Sequence, residues 1–242
     1  MQGQNYYNQN GDIILQPRWY QKKLAILIVP FLFILAILVI ILTLTNTEPT
    51  PTNQPLDNNI AEYLETKTPQ RQLAEKKDRP HFGNEDAKLV IVEFSDFQCT
   101  VCQAEFPIIR EITNKYSDDV LYIYRQYPII DENSLAISQA SLCAHAQDKF
   151  WQMHDKLFLS PGEYSQENII NIATQSGLDI SKFNICMETE ATKNMVLEDA
   201  QNGYTLGVEG TPTFFVNGNK LAGAVSKENW ESIISKSLEV LK

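Results

Sequence analysis

Basic charge is scarce in this chain. Its 242 residues hold 20 Lys and Arg against 30 Asp and Glu, a formal net charge of −10. Nucleic acid is bound through basic patches, so this balance argues against nucleic acid as a partner. The acidic excess asks for nothing beyond solubility. Histidine is scarcer still. His81, His145 and His154 are scattered, and none pairs by spacing with a catalytic residue. There are four cysteines, Cys99, Cys102, Cys143 and Cys186, and a single C-x-x-C. No second C-x-x-C and no H-x3-H accompanies it, so zinc would lack half of its ligands and no metal is expected. An even set of cysteines suggests two disulfides in an oxidising compartment, although an intracellular redox protein can also carry a C-x-x-C. No internal repeat is visible. The length suits one domain plus extra segments.

Residues 1–23 are polar, rich in Gln, Asn and Tyr, and end in Arg18, Lys22 and Lys23. They read as a short disordered tail on the cytoplasmic side. Residues 24–44 are apolar without a charge, enough for a helix of about 30 Å that spans a bilayer, and such helices tolerate a proline such as Pro30. A cleaved signal peptide would have an apolar core of about 7–15 residues and a small-residue cleavage site. The run is longer than that, and Thr43, Leu44, Thr45, Asn46 and Thr47 offer no such site, which favours an uncleaved anchor. Basic residues precede the run, and Glu48 and Asp57 follow it. The positive-inside rule then places the N-terminus in the cytoplasm and the rest outside. Residues 45–80, rich in Thr, Asn, Gln and Pro before turning charged, read as a flexible linker with a short helix near 59–65.

A globular domain is expected over 81–242. The patterns predict a strand at 88–95, a helix at 100–116, a strand at 120–125, a helical region at about 132–205, strands at 212–217 and 219–224, and a helix at 226–241. Asn217-Gly218 between apolar stretches signals a hairpin. Trp230, Ile233, Ile234, Leu238 and Leu241 form one apolar face of the last helix, with Ser226 as its N-cap.

The stretch Phe94-Ser95-Asp96-Phe97-Gln98-Cys99-Thr100-Val101-Cys102 lies where the first of these strands hands over to a helix. A thiol at a helix N-terminus meets unpaired N–H groups and the positive end of the dipole. Both favour the thiolate, which makes Cys99 the expected nucleophile. Cys102, almost one turn on, faces back toward it, close enough to bond.

Together with this motif, residues 82–87, 144–155 and Gly210-Thr211-Pro212-Thr213-Phe214-Phe215-Val216-Asn217-Gly218 resemble the DsbA-like thiol–disulfide oxidoreductases, including the membrane-anchored bacterial forms. The likeness covers about 81–242. It implies an α/β thioredoxin-like fold with a helical insertion at about 132–205, here preceded by the expected transmembrane helix. It also implies a redox disulfide between an exposed nucleophilic Cys99 and a buried resolving Cys102. Thr211 and Pro212 match the cis-proline segment that docks extended substrate by strand addition, where the residues alone would read as an ordinary strand-initiating proline. Glu93 takes the position of the family's buried acid, where burial would raise its pKa and let it exchange a proton with Cys102; a strand-end Glu facing water is the plainer alternative. Cys143 and Cys186 are expected to form a structural disulfide, as a pair does in several such relatives; free buried thiols are the rival reading. Pro107 should kink the first helix. Trp151, Phe150, Leu157 and Phe158 read as core, and some apolar surface should be exposed near the C-x-x-C.

The implied activity is the introduction of disulfides into exported proteins with cysteine thiols, through a mixed disulfide at Cys99. Reoxidation would come from a membrane partner, quinone-linked by analogy, and no cofactor is expected. The chain departs from the strongest oxidases of that family between its cysteines, where Thr100-Val101 supplies no histidine. A less stabilised thiolate means a weaker driving force. A reductase or isomerase on the same fold, or a tethered chaperone-like peptide binder without catalysis, would be told apart by a redox titration and by Cys99→Ala.

Overall fold

The computed structural model describes residues 66–162 and 164–241. The expected tail, anchor and short helix at 59–65 lie outside them. Among the described residues no helix is long and apolar enough to cross a membrane. The described elements run α1 (Pro69–Ala74), β1 (His81–Gly83), β2 (Leu89–Ser95), α2 (Thr100–Lys115), β3 (Val120–Gln126), α3 (Ser134–His145), α4 (Phe150–Leu159), α5 (Gln166–Gln175), α6 (Ile180–Met187), α7 (Glu190–Thr205), β4 (Thr213–Val216), β5 (Asn219–Ala222) and α8 (Lys227–Val240).

The five strands form one mixed sheet in the order β1-β3-β2-β4-β5. Central β2 pairs in parallel with β3, Glu93 opposite Tyr124, and antiparallel with β4, Glu93 opposite Phe214. All seven residues of β2 are buried, because the sheet is covered on both faces. Leu89 and Ile91 share one core with Cys99, Cys102, Ile109 and the aromatic side chains of α4. Val90, Val92 and Phe94, one residue out of step, join Val208 and Phe215 in the other. The parallel β2–β3 pair needs a crossover, and α2 supplies it. That connection puts the N-terminus of α2 at the C-terminal edge of the sheet, next to the residues that lead into β4.

The hairpin forms at Asn217 and Gly218, both with positive φ (45° and 85°), the conformation that this dipeptide accepts most readily. Asn217 also secures the neighbouring strand: its Oδ1 accepts from Val90 N at 2.7 Å. Ser226 caps α8, as expected, by accepting from Asn229 N, and Trp230 and Ile234 are fully buried. The expected helical region resolves into five helices, α3 to α7. Pro107 lies inside α2, which continues through it to Lys115.

Two features differ from the sequence reading. Strand β1 was not anticipated; it is three residues long and pairs antiparallel with β3. Such a short segment carries no period to read. Residues 68–80, expected as the end of the linker, instead pack against the domain. Thr68 caps α1 by accepting from Arg71 N, and Arg71, Ala74 and Arg79 are buried. The cause is an ion cluster invisible in local composition. Asp199 Oδ1 accepts from Arg79 Nε and from Arg125 Nε, each at 2.8 Å, while Arg125 Nη1 donates to the Ala74 carbonyl at 2.6 Å.

Candidate active site

Cys99 is the N-cap of α2, in extended conformation (φ −77°, ψ 118°). Its Sγ accepts from Cys102 N at 3.4 Å, the sulfur equivalent of an Asp or Ser cap. On its other side, the thiol donates to the Thr211 carbonyl oxygen at 3.2 Å. The sulfur therefore sits between a helix start and the segment before β4, where the Thr211–Pro212 bond is cis. Both Cys99 and Cys102 are free thiols here, and Cys102 is completely buried. Cys99, expected to be exposed, is also buried, at 6% exposure, because the Thr211–Pro212 segment lies against its sulfur.

The two thiols differ sharply in acidity. Cys99 is held well below the ordinary thiol range, at about 5, first by the hydrogen bond of the Cys102 thiol. Burial opposes this, and the Thr211 side chain and the N–H groups of Cys102 and Val101 add to it. The leading cause is thus the partner thiol, with the helix amides behind it; the charge-free Thr100-Val101 pair does not prevent a strong shift. Cys102 moves upward, chiefly through burial, then through its bond to Cys99 and the nearby charge of Glu93. One sulfur is made ready as an anion and the other is kept neutral.

Glu93 takes the buried of its two expected surroundings and is 2% exposed. Burial pushes its carboxyl up to about 7, against the lowering effect of the Tyr122 hydroxyl, which donates to Oε2. A second buried carboxyl, Glu105, lies on α2 one turn past Cys102. It accepts from Trp230 Nε1 at 2.8 Å and from Val225 N at 3.0 Å, and burial raises its pKa as well. Tyr122 and Glu105 carry no motif, and no sequence signal marks them.

Asp96, quoted above only as part of the motif, ties the site together. It is fully buried. Its Oδ1 accepts from Gln98 N at 2.9 Å, and its Oδ2 from Ile129 N and Ile130 N at 2.8 and 2.9 Å. The turn before Cys99 is thereby joined to the loop after β3. Ile129, Ile130 and Val101 of the C-x-x-C are each 44–51% exposed, so apolar surface flanks the motif on both segments. The Asx pattern Asp96–Gln98 was the one local signal for this role.

The remaining expected residues lie elsewhere. Cys143 and Cys186 form a disulfide between α3 and α6, with an S–S length of 2.01 Å. Closing a loop with a sequence separation of 43 contributes about 4 kcal/mol in the chain-entropy model. His154 is buried against the rings of Phe97, Phe106, Tyr124, Phe150, Trp151 and Phe158 and bonds to Asp155. His81 and His145 touch neither cysteine of the motif in any described contact. Among the described residues no group of three or more His, Cys, Asp or Glu could hold a metal ion.

The chain is similar to known proteins. The family model described as Thioredoxin matches residues 75–236. Among solved structures, the thiol-disulfide exchange protein alpha-DsbA2 from Wolbachia pipientis superposes with a TM-score of 0.66 at 23% identity, over 74% of this chain and 96% of that one. The catalytic domain of Proteus mirabilis ScsC gives 0.64 at 26% identity, over 74% and 98%. Among curated proteins, the Na(+)/H(+) antiporter NhaA 1 of Mycobacterium sp. (strain KMS) is 34% identical over 151 residues, 60% of this chain. The chain spans about a quarter of the length of that relative, 25%.

The chain belongs to the thioredoxin family, and its site pairs an acidified thiol, Cys99, with a second one, Cys102, that is kept neutral.

Proposed function

We propose that the chain works as an extracytoplasmic thiol oxidase, anchored by residues 24–44, that introduces disulfides into exported proteins. The observation that carries this reading is the low pKa of Cys99, about 5. A thiolate so stabilised makes the reduced pair the favoured one, so the oxidised protein gives its disulfide away readily. A substrate thiolate attacks Cys99 Sγ of the oxidised pair, and Cys102 leaves. The substrate is then joined to Cys99 in a mixed disulfide. A second substrate thiolate attacks the substrate sulfur of that bond and departs with the disulfide, leaving Cys99 as the stabilised thiolate and Cys102 as the thiol.

Thr211 and Pro212 offer the docking edge. The Thr211 carbonyl already lies beside Cys99, so an extended substrate segment along this edge brings its cysteine to the reacting sulfur. The exposed Val101, Ile129 and Ile130 supply the apolar contact that an unfolded substrate offers. A quinone-linked membrane protein restores the disulfide, and tethering concentrates the enzyme near it.

The test is a redox titration of Cys99 and Cys102 against glutathione. A potential above about −200 mV supports the oxidase; a value near the thioredoxin figure of about −270 mV assigns the same site to reduction.

A further inference from the structure

Glu93 and Ser95 are two residues apart on β2, so their side chains leave the same face of the sheet. It is the face whose core contains Cys102. Ser95 and Cys102 are both completely buried. One oxygen of Glu93 is taken up by the Tyr122 hydroxyl. The Ser95 hydroxyl acts on three groups at once, the Glu93 carboxyl, the Cys102 thiol and the Tyr124 hydroxyl. Yet it completes a full hydrogen bond with none of them, and neither does the Tyr124 hydroxyl. A buried hydroxyl left unpaired is rare, and each one asks for an explanation. This one shares a buried face with a proton-carrying acid and acts both on that acid and on the sulfur that needs a proton.

We propose that the Ser95 hydroxyl relays the proton between Glu93 and Cys102. The inference rests on the oxidoreductase reading above. When a substrate thiolate attacks Cys99 Sγ, the Cys99–Cys102 bond breaks and Cys102 keeps the electron pair as a buried thiolate. The titratable residues acting on Cys102 are Glu93 of β2, Asp96 just past it, Tyr124 of β3 and Cys99 at the start of α2. One step out, Tyr122 of β3 and Glu105 of α2 act on Glu93, the cation Arg110 of α2 acts on Tyr122, and His154 of α4 packs on the Tyr124 ring. Ser95 gives its hydroxyl proton to Cys102 as it takes one from the Glu93 carboxyl. The products are the Cys102 thiol, an unchanged serine and the Glu93 carboxylate. Reoxidation runs the same transfer in reverse. Glu93, pushed up to about 7, holds a transferable proton near neutral pH.

The experiment is the pH–rate profile for reduction of the oxidised full-length chain by glutathione. The unaltered chain shows an inflection near pH 7, from Glu93. Ser95→Ala is expected to lose that inflection and to slow at neutral pH by at least about tenfold. The isosteric pair Ser95→Thr and Ser95→Val separates the hydroxyl from packing: Thr keeps the inflection and Val loses it. In a Glu93→Gln background, Ser95→Ala has no further effect. The Cys99 thiolate titration stays near 5 throughout. An inflection that persists in Ser95→Ala and Ser95→Val, with rates within about twofold of the unaltered chain, overturns the relay. So does its loss in Tyr124→Phe alone, which would assign the proton to the phenol. If the unaltered chain is not reduced at all, the oxidoreductase reading fails first and the relay with it.

Discussion

Two polar clusters are buried in this domain, and they are built on opposite plans. Around Asp199, unlike charges meet. The carboxylate accepts from Arg79, Arg125 and Gln126 N, while Arg79 also bonds Glu198 and Arg125 also bonds the carbonyls of Leu73 and Ala74. Around Cys102, acids gather: Glu93, Glu105 and the two thiols, none of them paired with a cation, and Arg110 reaches the group only through Tyr122. The first cluster repays the desolvation of its charges by pairing them, and its use is to hold α1 and the segment before β1 onto the sheet. The second cannot do so. Glu93, Glu105 and Cys102 shift toward neutrality instead while Cys99 alone shifts toward the anion, and groups held on the two sides of ionisation can trade protons. Burial is common to both; whether opposite charge is present decides which cluster is structural and which is reactive.

This contrast can be broken at either end. The largest effect on activity is expected for Cys99→Ala, which removes the acidic sulfur and the helix cap it provides: oxidation of substrate thiols should disappear, and the reduced protein should lose at least about 1 kcal/mol of stability. Activity that survives would remove the acid cluster from the chemistry altogether. Asp199→Ala should do the reverse. It strands two buried arginines and should cost about 3–5 kcal/mol in denaturant unfolding, with the Cys99 thiolate still titrating near 5 wherever the protein remains folded.

Glu93→Gln sharpens the difference. The Glu93 carboxyl moves from 4.5 to about 7 on burial. It therefore favours the folded state fully below pH 4.5, and that advantage is lost as the pH rises through about 7. The shift corresponds to about 3 kcal/mol between those limits. The variant should lack this decline and be the more stable protein at alkaline pH, as measured by denaturant midpoints across the pH range. An unchanged decline would mean that another group carries it. The smallest effect is expected for Thr211→Val. The Thr211 hydroxyl has no hydrogen-bond partner while Cys99 is a thiol, and it lowers the Cys99 pKa by donating to the thiolate. Its loss should raise the midpoint of the thiolate absorbance titration by about one pH unit.

Much of the site was legible because its signals are local. A strand followed directly by a helix places Cys99 at a cap, and helical spacing places Cys102 behind it. Asn217-Gly218 marks its own turn, and Ser226 its own helix start. The surroundings of Glu93 could be narrowed only to two, since a strand residue faces core or water according to what covers the sheet. Asp96, Tyr122 and Glu105 escaped notice because their partners, Ile129, Glu93 and Trp230, lie in other elements. The same holds for the segment at 68–80, whose anchoring carboxylate, Asp199, is 120 residues from Arg79.

By itself, then, the order of residues determined the elements and the pairing of a capping thiol with a second one a turn later, because capping, spacing and turn preferences act over a few residues. Tertiary structure alone decided how acidic each sulfur is, which carboxyl reaches which donor, and where the folded domain begins. Those depend on solvent exclusion and on charges brought together across the sheet, and neither exists until the chain has closed on itself.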